Sequence, residues 1–343
     1  MRRCLTYILG FFILFVLHDS RNLIFAKEAD NLNNAENLSP SAHQQLHFAA
    51  DSLYALRSMP AIRYDKNKHP PVLPAFKPAV SERRVNKTRL AFSGCALVGA
   101  NYYAYKRFEN MWWNHPKSSF HFYRGWRQTE GWYDFGPDDS LWHHMDKFGH
   151  YYNARLLSLL LSDIALWIGF EENPAQWIGA VSSWLLYLQI ELFDAQFEQW
   201  GFSLGDLAAN TAGAFMPIWS SRSSLIQNFT LKWSYAPAQL EQQKYMVEDY
   251  AGMTFWLTTN PQHLLPDFFD DFWPDFLNLA LGYSITQKAY GEIELYIGLD
   301  YDLTKIQTNS LFWNRVLYYL NFIHLPAPAI KIRPVTDYYL FCY

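Results

Sequence analysis

Three short polar pairs interrupt the apolar stretch from Trp142 to Met216: Asp146-Lys147-x-x-His150, Glu191-x-x-Asp194 and Asp206-x-x-x-Asn210. These residue types could do chemistry. An imidazole among several carboxylates can ligate a hard or borderline divalent cation. A histidine beside a carboxylate can also move a proton as general base or acid. The metal candidates are His150, Glu191, Asp194 and Asp206, and the catalytic candidates are His150, Asp146 and Glu191. The full polar cluster is Asp146, Lys147, His150, Glu191, Asp194, Asp206 and Asn210. The same groups can also join helices by carboxylate, ammonium, imidazole and amide contacts with no ion at all. The residue types favour that structural use. They require no cofactor, and a divalent metal is the one the set could accept.

The spacing says what must position them. Residues three or four apart share a helix face, so each pair points one way. Ionisable groups in apolar surroundings are costly unless they meet one another, so three helices are expected to turn these faces inward. The first should run from Leu141, capped by Asp138-Asp-Ser140, to Gly169. The second should run from Gln176 to about Gln199, after a break at Glu171-Glu-Asn-Pro174. Ser203 and Asp206 form a capping box for the third, which Pro217 should close, with Asp206, Asn210, Gly213 and Ala214 on one face. An earlier helix is expected from about Thr88 to Tyr105. Its small residues suit close helix packing, and it is just long enough to span a bilayer with little tilt.

Composition bears on location. Two arginines, an apolar run from Leu5 to Leu17 and the ending Ile24-Phe25-Ala26 form the layout of a secretory signal, residues 1–26. Cys4 precedes that run, and Cys95 and Cys342 lie too far apart in sequence to read as a disulfide framework. A net charge of -4 gives no basic surface, so nucleic acid is not an expected partner. Aromatic residues reach 18 %, with 14 Trp and 23 Tyr, which favours contact with a membrane interface. Membrane lipids or envelope proteins are the expected partners. Residues 27–87 are polar and rich in proline near His69–Pro78, which reads as a flexible tether. Between the first two helices, Trp112 to Trp132 forms an irregular aromatic connector.

The last third changes period. Phe229, Leu231, Trp233 and Tyr235 alternate with polar residues, and so do Ile293, Leu295, Ile297, Leu299, Tyr301 and Leu303. Further strands are expected at Phe255–Thr259, Phe276–Ile285, Ile330–Arg333 and Tyr338–Tyr343, with a turn near Lys288 and an amphipathic helix over Phe312–Phe322. A small sheet packed on the helices is expected, not a closed outer-membrane barrel, whose usual minimum is eight strands.

Asp146-Lys147-x-x-His150, Glu191-x-x-Asp194, Trp200-Gly-Phe-Ser203 and Asp206-x-x-x-Asn210-x-x-Gly213 together resemble the YfiM-like family (DUF2279), predicted periplasmic lipoproteins of unknown function. The order of motifs is more loosely similar to VanZ-like membrane proteins. The resemblance covers roughly Thr88 to Trp256 and implies an exported, envelope location; it implies no reaction. This chain departs from the family pattern in having no cysteine directly after its leader.

The fold expected is mainly α: a membrane-associated helical bundle over residues 88–220, followed by a smaller strand-rich α+β part over 221–343. The function expected is that of a structural or scaffold-like envelope protein, leaning away from enzyme. Two alternatives stand beside it. One is an envelope enzyme, metal-dependent or not, acting on a lipid or glycan headgroup with His150 as base or ligand. The other is a module binding lipid or peptide through the aromatic connector. No glycine loop for phosphates, Gly-x-Ser-x-Gly or His-Glu-x-x-His supports the familiar nucleotide or hydrolase routes.

Overall fold

A computed structural model describes residues 84–123, 143–238, 246–263, 273–287 and 291–343. The expected leader, nearly all of the tether, the Asp138-Asp-Ser140 cap, most of the connector beyond Tyr123 and the turn at Lys288 lie outside the described residues. Five α-helices and six strands occupy the rest. The helices are α1 (Lys87–Met111), α2 (Met145–Ile168), α3 (Glu172–Asp194), α4 (Leu204–Arg222) and α5 (Leu311–Leu320). The strands are β1 (Phe229–Tyr235), β2 (Met253–Thr259), β3 (Leu277–Ile285), β4 (Ile293–Tyr301), β5 (Ala327–Arg333) and β6 (Asp337–Cys342).

This is an α+β fold with one six-stranded antiparallel sheet in simple sequential order, which corrects the expected mainly α membrane bundle. Among the described residues, no helix is long and apolar enough to cross a membrane. The reason lies in polar groups on each candidate. Asn101, Lys106, Arg107 and Glu109 interrupt α1, and α2 carries Arg155 and Asp163 besides its motif. The aromatic residues that suggested a bilayer serve partly as internal contacts. Phe148 stacks on Phe255, and Trp256 stacks on His324 at 4.1 Å.

Helix limits also differ from the expected ones. Asn86 caps α1, its side chain accepting from the Arg89 N–H. α2 begins at Met145, four residues later than expected, because His143 and His144 both hold positive φ (48° and 59°) and cannot continue a helix backward. Pro174 falls in the first turn of α3, where N–H groups lack intrahelical partners, so it does not break the chain. Pro217 is inside α4 instead of ending it; burial of Pro217 and Ile218 offsets the local cost. Ser203 does cap α4, accepting from the Asp206 N–H at 2.9 Å.

α2 is the central element. Its sides pack against α3 and α4. Gly213 of α4 permits the second contact, since a Cβ there would sit 2.1 Å from the Tyr151 carbonyl oxygen. The N-terminal half of α2 lies on the sheet, where Met145 and Tyr152 join Leu231, Met253, Phe255, Tyr283, Ile285 and Ile293 in one core. Full burial of each large apolar side chain contributes about 1.5–3 kcal/mol.

The sheet buries its other face too. Segment 322–324, just before β5, bonds to the free edge of β1: Trp233 N–H donates to Phe322 O (3.0 Å), and His324 N–H donates to Trp233 O (2.9 Å). Because β5 pairs with β4, this contact closes the sheet into a ring. Lys232, Trp256, Thr258, Ala280, Ser284, Tyr296 and Asp300 point inward and are buried. Inside, Lys232 Nζ donates to Asp300 Oδ2, Tyr301 O and Asn321 Oδ1 at 2.7–2.9 Å, and His324 Nδ1 lies 3.0 Å from Asp300 Oδ1. The outer face carries the alternating aliphatic residues, and Leu279, Leu281 and Ile297 are exposed there, beyond the cover of α2. Cys95 and Cys342 are free thiols.

Gly282 faces the Trp256 ring, which a Cβ would meet at 2.7 Å, whereas nothing lies within 4 Å of one built at Gly94 on exposed α1. Gly282→Ala should therefore destabilise by about 1–3 kcal/mol through overpacking. Gly94→Ala should stabilise by about 0.5–1 kcal/mol, because alanine loses less chain entropy in a helix. Urea unfolding of both variants gives opposite shifts in midpoint if Trp256 fills the ring as described.

Candidate functional site

The three polar pairs meet where α2, α3 and α4 touch. α2 contributes Asp146, Lys147 and His150, α3 contributes Glu191 and Asp194, and α4 contributes Asp206 and Asn210. Asp146 and Asp206 each stand in the first turn of their helix, where the exposed N–H groups favour negative charge.

Asn210, fully buried, forms the floor. Its Nδ2 donates to Glu191 Oε1 at 3.0 Å, and its Oδ1 lies 2.9 Å from His150 Nδ1. In that arrangement His150 donates from Nδ1, so Nε2 is the basic ring atom. Nε2 faces Asp206 Oδ1 at 3.6 Å, and Nδ1 lies 3.7 Å from Glu191 Oε1. One donor atom from each of His150, Glu191 and Asp206 lies within 4.8 Å of the others. Two donors on one ion at about 2.1 Å stand no more than about 4.2 Å apart, so a small inward shift of side chains would let the three share a cation.

Lys147 bridges two carboxylates, with Nζ 2.5 Å from Asp146 Oδ2 and 3.1 Å from Asp206 Oδ1. Among the described residues, buried Asp146 Oδ1 accepts no hydrogen bond, and buried Asp206 Oδ1 is met by the Lys147 ammonium without hydrogen-bond geometry. Asp194 sits at the side of the cluster, where Trp113 Nε1 donates to its Oδ1 at 2.6 Å. Side-chain exposure grades from 1 % at Glu191 through 14 % at Asp206 to 24 % at His150, so the cluster is a polar recess with a closed floor.

Among the described residues, four carboxyl groups share the cluster with one ammonium and one imidazole. Burial raises the Glu191 carboxyl well above its ordinary range, and the charges of Asp206 and Asp194 push it the same way. Burial lifts Asp194 to about 7, against the hydrogen bond from Trp113 and the nearby His150.

The structure thus brings all seven sequence-derived residues into one neighbourhood. It also adds residues the sequence did not indicate. Trp113 comes from the turn after α1 and carries no pattern pointing to Asp194. The Tyr187 ring meets His150 edge-on at 6.1 Å, and Tyr250, part-buried, feels the charges of Asp146 and Asp206. His143 and His144 form the left-handed turn that starts α2, and Tyr283 Oη anchors it by donating to His143 O at 2.7 Å. Such backbone strain in non-glycine residues concentrates at functional sites, and the adjacent pair of histidines was its only trace in the sequence.

Residues 129–220 match the family model described as predicted periplasmic lipoprotein (DUF2279). The matched stretch contains α2, α3 and nearly all of α4 with every residue of the cluster, and ends before the sheet. The match supports an exported, envelope-associated protein, and its description names no activity. No curated protein and no solved structure matches the chain.

The raised carboxyl of Asp194 gives a pH signature. A folded-state value above the unfolded one means that stability is fully present below the unfolded value of 3.8 and is lost as pH rises towards about 7. Metal-free protein should lose thermal stability across that interval, and Asp194→Asn should flatten the profile. An identical slope in the variant would place the proton uptake elsewhere.

Proposed function

We propose that this chain is an envelope protein whose α2–α3–α4 recess holds a divalent cation through His150, Glu191 and Asp206, with Asp194 and Asp146 at its margin. The observation that carries the reading is the crowding of four carboxyl groups around one lysine and one histidine among the described residues. A network evolved only to join helices has no need for four carboxyl groups against one lysine and one histidine, because buried carboxyls crowded together repel one another or must stay protonated. A bound cation offsets that cost. The mixed imidazole and carboxylate set suits zinc or manganese better than calcium, which prefers oxygen donors alone. Asn210 would act behind the ligands, orienting His150 so that Nε2 faces the ion. Such an ion can polarise a phosphoryl or carbonyl oxygen or activate water, which fits an enzyme acting on envelope headgroups.

One observation favours a second reading. Lys147 already stands between Asp146 and Asp206, and its ammonium can serve in place of a metal in a purely structural network.

Elemental analysis of purified chain, followed by chelation and titration with Zn²⁺ and Mn²⁺, separates the two. The cation reading expects bound metal near one equivalent, with a rise in Tm on titration. His150→Ala and Asp206→Asn should each weaken binding by about tenfold or more. The structural reading expects no metal and no shift in Tm, with Asn210→Ala and Glu191→Ala losing stability by about 1–3 kcal/mol from the stranded partner.

A further inference from the structure

On another side of α2 lies a cavity of about 250 Å³, walled by parts of α2, α3, α4, α5 and the strands β1 to β3. It is separate from the carboxylate recess: Arg155, on its wall, follows His150 by five residues and stands about 140° around the helix. Arg155 is 7 % exposed, and its Nε and Nη1 find no hydrogen-bond partner. The guanidinium rests 4.9 Å over the Phe322 ring. Asn228, 6 % exposed, has neither amide atom bonded, and Thr259 Oγ1 is likewise without a partner. Asp163 on the wall is engaged elsewhere, since it pairs with Arg315 at 3.2 Å and accepts from Tyr319 Oη at 2.8 Å.

Buried polar groups in native proteins are nearly always paired. Here Nε and Nη1 of Arg155, both amide atoms of Asn228 and Thr259 Oγ1, all on side chains lining one cavity, are not, and Arg155, which shares a hydrogen bond with the Tyr151 hydroxyl, carries a fixed positive charge. The rest of the wall is rich in hydroxyl and amide side chains such as Asn260, Asn278 and Thr258. Groups of that kind both donate and accept, as ligand hydroxyls do. A guanidinium pairs best with a carboxylate or phosphate. Glu172 and Asp302 also line the cavity and disfavour a ligand with several negative charges. The volume lies below the roughly 300–1,000 Å³ of sites for larger organic ligands.

We propose that this cavity binds a small polyhydroxylated acid of monosaccharide size, with its single acidic group on Arg155 and its hydroxyls on Asn228 and Thr259. The unbonded atoms belong to side chains on the cavity wall, and side-chain rotation at Arg155 and Asn228 would bring them to the ligand. This site stands independently of the cation reading.

The test is calorimetric titration of the full chain, with Tm as a parallel readout, using glucuronate, glucose 6-phosphate, glucose and inorganic phosphate. At least one of the two sugar acids should bind, saturably and with a rise in Tm, with affinity about tenfold or more above that for glucose or phosphate. Arg155→Gln and Asn228→Ala should each weaken it by about tenfold or more. Thr259→Val keeps the side-chain shape and should give a several-fold loss, which preserves the test if Arg155→Gln fails to fold. Absence of heat and of any Tm shift with both acids overturns the proposal. Binding of equal strength in parent and variants overturns it too.

Discussion

The rest of the structure depends on an electrostatic imbalance held in a confined space. Glu191 and Asn210 are sealed at the base of a three-helix junction, and three further carboxylates stand above them with one lysine and one histidine. Burial there pushes Glu191 and Asp194 towards the protonated form, and the charge of Asp206 acts on both in the same sense. Asn210 bridges Glu191 and His150 and so fixes both at once. Gly213 allows α4 to approach α2 closely enough for that bridge.

The ring of strands offers a useful contrast, because it contains a second buried ionic network. Lys232, Asp300 and His324 are all fully enclosed. There one ammonium meets one carboxylate, and Asn278 and Asn321 add hydrogen bonds to them. Burial alone would raise Asp300, yet the bonds from His324 and Lys232 hold it below its ordinary range. A balanced network of this kind serves closure of the ring. The recess on the helices has the opposite character: its Glu191 and Asp194 are raised, and His150 is part-exposed. Similar residue types therefore carry different roles, set by charge count and access.

The recess was legible in the sequence because each of its pairs is local. Spacings of three and four along apolar segments state which side chains share a face, and the cost of isolated charge states that the faces meet. The strands were also visible as alternating residues, such as Ile293 to Tyr301. Three things were not legible. The closing contact between Trp233 and segment 322–324 joins residues about ninety apart and leaves no periodic mark. That closure decides which face of the sheet is interior, so the polar face proved the enclosed one. The start of α2 was misplaced because the Asp138-Asp-Ser140 cap pattern competes with the left-handed turn at His143 and His144. Aromatic abundance pointed to a bilayer, but part of it is spent on stacks such as Trp256 with His324 and Phe148 with Phe255.

The most direct test of the central claim, that the recess balances its charge with a cation, is crystallography with Mn²⁺ and an anomalous difference map. The account predicts a single peak bounded by His150 Nε2, Glu191 and Asp206, with Lys147 displaced from Asp206. A map without a peak there at saturating Mn²⁺, with the ammonium of Lys147 still between Asp146 and Asp206, would contradict it.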